Sequence, residues 1–235
     1  MKLGIMQPYF MPYIGYWQLL NAVDKYVIYD DVNFIKGGWI GRNRILLNGQ
    51  AHYINVRMQG AGSNRKINEV GLANDPIYVE KCLRMVYSAY SKAPFFEEGY
   101  DLIKKIFSYK SDNLALFLEN SIQIICNYLG INTELLLSSH IEKDNSLHGQ
   151  DKVIHICKLL KCEEYYNAIG GRELYSYEIF RENGIELSFL KSNPFVYEQF
   201  GKEFVPNLSI IDCVMFNPID RIKQELDNYV LITDN

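Results

Sequence analysis

Apolar positions recur along this chain with two different periods, and the switches between them predict its elements. Leu3 to Met6 is a short apolar run, the pattern of a buried first strand, and a loop holding Pro8 and Pro12 follows it. From Ile14 to Val23 the apolar positions 14, 17, 19, 20 and 23 follow helical spacing. Tyr26-Val27-Ile28-Tyr29 is a β-rich run that ends in Asp30-Asp31. A strand–helix–strand unit of this kind favours a parallel sheet. Residues 44–57 read as a hairpin, because two strand-like runs flank Asn48-Gly49, the pair preferred in a type I′ turn.

A helical stretch comes next. Asp75-Pro76 opens a helix through about Ser91, with proline at an early helical position. Pro94 opens a second through about Tyr109, and Asp112 is placed to cap a third that stops at Gly130. Strand and helix then alternate again: Thr133–Leu137 as strand, Gly149–Lys161 as helix, Glu164–Ala168 as strand, Tyr175–Glu182 as helix and Ile185–Leu190 as strand. From Asn207 onward the pattern reads as helical. The expected fold class is α/β, with a mostly parallel sheet, a β-hairpin and a helical insertion around 75–130, all within one domain over 1–235. A split into two domains near residue 75 is the alternative.

Composition narrows the function classes. The net charge is −4 with both signs interspersed, which argues against a nucleic-acid binder that relies on a basic footprint. Five scattered cysteines with no CxxC pair suggest reduced thiols and no metal site. The prolines break the apolar N-terminal stretch and no stretch has the length of a membrane span, so the expectation is a cytoplasmic chain with no signal peptide and no transmembrane segment.

Chemistry gathers in four places. The turn after the first strand carries Gln7, Tyr13, Gly15 and Tyr16; ligands in open α/β sheets bind beyond the carboxyl ends of strands, and a glycine near a helix start lets backbone approach an anion. The same loop also reads as a proline-braced packing element. Asp30 and Asp31 end the second strand, where a carboxylate can act as a base or hold an amine, or simply cap the strand end. Lys36, Trp39, Arg42, Asn43 and Arg44 then offer cationic forks and a stacking face, suited to a diphosphate and a base or sugar. Later come Gly170 and Arg172 between a strand and a helix, and Asp212 on an otherwise apolar helix, readable either as a paired buried carboxylate or as a catalytic one. His148, just before a helix, is a further acid–base candidate. No Ser-His-Asp spacing, GxSxG elbow or HExxH is present.

The string IMQPYFMPYIGYWQLLNAVDKYVIYDDVNFIKGGWIGRNRI at 5–45 resembles the opening pattern of the WbqC-like protein family. The resemblance continues through LGINTELLLSS at 129–139, EEYYNAIGGRELY at 163–175, FRENGIELSFL at 180–190 and FVPNLSIIDCVMFN at 204–217. It implies a setting in O-antigen and related surface-glycan synthesis, including attachment of glycine or another amino acid to an amino sugar. Tyr13-Ile14-Gly15-Tyr16 also sits where HIGH-type nucleotidyltransferases carry His-x-Gly-His, which implies a Rossmann-like sheet of the HUP type; both histidines are tyrosine here. The leading expectation is therefore an N-acyl or N-aminoacyl transferase acting on a nucleotide-linked amino sugar. In that reading Asp30, Asp31 or His148 serves as base. The donor is open between an acyl thioester, on coenzyme A or an acyl carrier protein, and an amino acid activated by ATP with magnesium. An altered nucleotidyltransferase and a non-catalytic sugar-nucleotide binder are the alternatives.

Overall fold

The computed structural model describes residues 1–201 and 203–234. Among the described residues, ten strands and eight α-helices follow in chain order. They are β1 (Lys2–Met6), α1 (Ile14–Asn21), β2 (Lys25–Ile28), β3 (Arg42–Leu47), β4 (Gln50–Asn55), β5 (Met58–Gln59), β6 (Gly71–Leu72), α2 (Pro76–Tyr90), α3 (Phe96–Ser108), α4 (Leu114–Leu129), β7 (Glu134–Leu137), α5 (Gly149–Leu159), β8 (Glu164–Ala168), α6 (Tyr177–Glu182), β9 (Glu186–Ser192), α7 (Ile210–Phe216), α8 (Ile219–Glu225) and β10 (Tyr229–Ile232).

The main sheet has six strands in the order β10-β9-β8-β1-β2-β7. Every neighbouring pair is parallel except β10 with β9. The chain starts at the centre with β1, runs outward through β2 to β7, then returns to lay β8 beside β1 and runs outward the other way. This is the Rossmann order, and its direction reverses between β1 and β8. The fold is a mixed α/β sheet of that kind with a β3–β4 hairpin and a small β5–β6 pair.

Strand alternation divides the core between two faces. Leu3, Ile5 and Val27 pack with Val153, Ile154 and Ile156 of α5 and Phe180 of α6. Tyr26 and Ile28 face the other way, onto Leu19, Leu20 and Trp17 of α1. That second cluster runs without a break into α2, α3 and α4 through Val86, Ile103, Ile106 and Leu118, so the inserted helices share the core of the α1 face.

The hairpin turns as its sequence predicts, with φ of 53° at Asn48 and 74° at Gly49. Asp75 caps α2 by accepting the Tyr78 N–H at 3.1 Å, a contact worth about 1 kcal/mol. Three expectations need correction. Asn113, not Asp112, caps α4, since its side chain accepts from Leu116 N at 3.2 Å while Asp112 is engaged by Asn74. The helix expected from Pro94 begins at Phe96. The tail after Asn207 is not helical throughout: it ends in β10, which pairs antiparallel with β9 from Tyr229 opposite Ser192 to Ile232 opposite Phe189. A four-residue edge strand is too short to show a period that separates it from the helix before it.

Candidate functional site

The loop between β1 and α1 is fixed from three directions. Phe10 N donates to Trp39 O at 3.0 Å, and Asn43 Nδ2 donates to Phe10 O at 3.0 Å. Ser209 Oγ donates to Met11 O at 2.7 Å, and Ile210 N donates to Pro12 O at 2.9 Å. Trp17 Nε1 adds a bond to Pro12 O at 3.0 Å. Met11, wholly buried, is held at a φ of 43°, a left-handed conformation costly for a side-chain-bearing residue.

The loop packs inward, as its proline-braced reading expects, except at Tyr13. Phe10 and Tyr16 lie in the core, and Tyr16 packs on Tyr9, Trp17 and Tyr26 while its hydroxyl donates to Gln7 O at 3.2 Å. Tyr13 alone turns outward, 38% exposed. Gly15 permits this, because a Cβ there would lie 2.5 Å from the Tyr13 hydroxyl oxygen and 2.6 Å from its ring.

Tyr13 borders a cleft of about 490 Å³ that opens at the carboxyl ends of β8 and β9. Lys191, Asn193, Phe195, Tyr197 and Asn207 are among its polar and aromatic lining, and Ile169 after β8 adds an apolar side. This is the reversal point of the sheet, where open α/β folds bind ligands. A second groove, about 670 Å³, lies between Tyr78, Leu83 and Phe107 in the inserted helices and shares no lining residue with the cleft.

The segment after β2 supplies a cationic, aromatic wall. The Arg42 guanidinium donates to Gly38 O at 3.2 Å and to Gly37 O, and lies 4.4 Å from the Tyr53 ring centroid. The Arg44 guanidinium donates to Asn207 O at 3.1 Å and lies 5.3 Å from the Trp39 ring. Through Asn207 it touches the cleft wall. Its Nε is buried without a partner, and among the described residues neither arginine meets a carboxylate. Trp39 and Tyr53 remain 37% and 44% exposed, so both offer stacking faces; Lys36, three residues before Trp39, is exposed as well. Asn43 is spent on the loop, bridging Phe10 O and Arg44 N.

Asp30 and Asp31 diverge after β2 ends at Ile28. Asp30 accepts Ser139 N at 2.9 Å and Ser139 Oγ at 2.6 Å, locking the ends of β2 and β7 together. Asp31 meets two lysines: Lys143 Nζ at 2.9 Å and Lys152 Nζ at 3.4 Å, both on Oδ2. Burial pushes the Asp31 carboxyl up, but the Ser138 hydroxyl and the two ammonium groups outweigh it and hold the group below the usual carboxylate range. Asp31 is thus a held anion and a weak proton acceptor. His148 is the exposed N-cap of α5, one helical turn before Lys152.

Asp212 lies in the core, not on the cleft. Tyr90 OH, Tyr197 OH and Gln199 Nε2 each donate to its carboxylate at 2.7 Å. Burial raises its pKa against those donors. Gly170 and Arg172 are exposed, in a 3₁₀ segment from Ile169 to Leu174. They do not open α6, which starts at Tyr177 behind its own cap, Ser176.

Sequence reasoning missed Lys143, Lys152, Lys191, Asn193 and Asn207. Lys152 carried a readable signal: a lysine one residue before Val153, Ile154 and Ile156 stands at the edge of a helix's buried face. Asn193 and Asn207 carried none, since only the folded loop brings them to the cleft.

A family model for the WbqC-like protein family matches residues 7–224. This chain belongs to that family. The match takes in the β1–α1 loop, the cationic wall, the Asp31 cluster and the cleft. Among curated proteins, the uncharacterized protein Rv1507c of Mycobacterium tuberculosis is 29% identical over 219 residues, covering 92% of this chain and 93% of that protein. No solved structure matches. Among the described residues, no helix of this family member is long and apolar enough to cross a membrane.

Proposed function

We propose that this WbqC-like protein transfers an acyl or aminoacyl group to the amine of a nucleotide-linked sugar in surface-glycan synthesis. The observation that carries the reading is the cleft at the sheet's reversal point, walled by Tyr13 and Asn207 and continuous through Asn207 with Arg44 and Trp39. Such a crevice suits a nucleotide, and guanidinium forks beside an exposed indole suit its diphosphate and its base. Arg42, Arg44 and Lys36 would bind the diphosphate, Trp39 would stack on the base or sugar, and Tyr13 would position the acceptor. Gln7 and Gly15 shape the loop beneath it, and Gly170 with Arg172 flanks the end of β8.

The low pKa of Asp31 favours a role in holding a cationic amine over one in taking its proton. The exposed imidazole of His148, at the N-cap of α5, is the proposed proton acceptor. The acyl donor is either a thioester, on coenzyme A or a carrier protein, or an ATP-activated amino acid with magnesium.

The test is a mass-spectrometric screen of nucleotide-linked amino sugars, each incubated with the protein and with acyl thioesters or with ATP and amino acids. A mass gain on the sugar, lost in Arg44→Ala and His148→Ala, supports the reading. Thermal stabilisation by a sugar nucleotide without any mass gain replaces it with a binding protein. Pyrophosphate release without transfer replaces it with a nucleotidyltransferase.

A further inference from the structure

Two of the five cysteines meet where α5 ends. Leu160 closes that helix, Lys161 follows at a φ of 57°, and the chain turns directly into β8. Cys162 N donates to Cys157 O at 2.8 Å, and Lys161 N donates to Lys158 O at 3.1 Å. Those two bonds define a Schellman motif, which sets the third residue from the helix end against the second residue beyond the cap. Both positions are cysteine here. Standard backbone dimensions and the 2.8 Å bond hold the two Cα atoms within about 6.7 Å of each other, inside the range of about 4.4–6.8 Å that disulfides span.

The side chains meet as well. Both belong to the core cluster on the α5 face of the sheet, and the two thiols hydrogen-bond to each other. The Cys162 thiol donates to Glu164 O at 3.2 Å, which leaves its sulfur to accept from Cys157. That contact and burial hold the Cys157 proton on, above the usual thiol range. Cys157 is wholly buried, whereas Cys162 keeps 7% of its surface, so an oxidant meets Cys162 first.

We propose that Cys157 and Cys162 are a reversible thiol–disulfide couple, closed by a peroxide, that pins the end of α5 to the start of β8. The Cys162 sulfur attacks the peroxide O–O bond, becomes a sulfenic acid and releases one water. The Cys157 sulfur then attacks the Cys162 sulfur. The S–S bond forms, the S–O bond breaks, and the hydroxide leaves with the Cys157 proton as a second water. Two thiols are oxidised and one hydrogen peroxide is reduced. The couple lies at the amino end of β8, whereas the cleft opens at its carboxyl end, so it stands whichever reaction the cleft supports.

Lys158 and Lys161 stand between the two cysteines, so trypsin separates them into peptides 153–158 and 162–172. The experiment treats the folded full chain with hydrogen peroxide, unfolds it in an alkylating agent and maps the tryptic digest by mass spectrometry without reductant. The expected product joins the two peptides, is two hydrogens lighter than their sum, and returns to separate peptides with dithiothreitol. Cys82, Cys126 and Cys213 are the internal controls and should be recovered alkylated. In Cys157→Ala the sulfenic acid has no resolving thiol, so peroxide should carry Cys162 on to sulfinic and sulfonic acid, which the wild type resists. Recovery of Cys157 and Cys162 as separate alkylated peptides, at peroxide levels that oxidise free glutathione, overturns the proposal and makes the pair core packing. Linkage between two chains overturns it too, as does equal over-oxidation of Cys162 in wild type and variant. If Cys157→Ala does not fold, the wild-type digest decides alone.

Discussion

Replacing Asp212 by alanine tests how the wall of the cleft is held. Tyr197 lines the cleft, and Gln199 closes the turn beyond it by donating to Val205 O at 3.2 Å and accepting Val205 N at 2.8 Å. Both residues are anchored to Asp212, which Tyr90 ties in turn to β3 by accepting Leu46 N at 2.7 Å. Asp212→Ala removes the acceptor shared by three buried donors, at about 1–3 kcal/mol for each one left unpaired. Removal of a buried carboxylate offsets part of this, so the expected net loss is about 3–5 kcal/mol, the range for breaking a buried charged network. In a chain of this length that lowers Tm by about 10 °C. Asp212→Asn should cost less, about 1–2 kcal/mol, because its carbonyl can still accept from Tyr197 and Gln199 while only the Tyr90 proton loses its place. The sign of the pH dependence follows from burial. A carboxyl raised above its unfolded value contributes stability that is complete below the unfolded pKa and is lost as pH rises through the folded one. Wild-type stability should therefore decline on that limb more than that of Asp212→Asn. The assay is urea denaturation from pH 4 to 8, with hydrogen exchange over residues 193–208. A loss under 1 kcal/mol in Asp212→Ala, with unchanged exchange in that loop, would refute the reasoning.

Three other outcomes are expected. Asp31→Asn strands the fully engaged Lys143 and should cost about 3–5 kcal/mol near neutral pH. Because the Asp31 carboxyl is held low, its contribution is present above the unfolded value and disappears as pH falls through the folded one, so denaturation midpoints of variant and wild type should converge in acid; parallel curves would contradict this. Gly15→Ala forces the Tyr13 ring off the first turn of α1, so sugar-nucleotide affinity should drop while Tyr13→Ala and the double variant bind alike; additive losses would show that the two residues act independently. Gly49→Ala places a Cβ at a φ of 74° and should cost about 1–2 kcal/mol in thermal unfolding, with ligand binding unchanged.

Much of this protein was determined by its sequence alone. The parallel unit of β1, α1 and β2 follows from an apolar run, a helical period and a second apolar run, each long enough to have one interpretation. The β3–β4 turn follows from Asn48-Gly49, because few other residue pairs tolerate two left-handed positions in succession. Family membership was equally legible in the string from Ile5 to Ile45. What the tertiary structure decided is which polar residues are free. Asp30, Asp31 and Asp212 look alike as letters, yet one is locked by Ser139, one is held between two lysines and one is enclosed by two tyrosines and a glutamine. Those partners lie 109 residues from Asp30, 121 from Asp31 for Lys152, and 122 from Asp212 for Tyr90. No local pattern carries contacts at that separation. They are set by which elements the fold lays side by side: β7 beside β2 brings Ser139 to Asp30, and α7 against α2 brings Asp212 to Tyr90. The Asp31 cluster belongs to the same class of fact: it exists only because folding brings the ammonium groups of Lys143 and Lys152 to a single carboxylate.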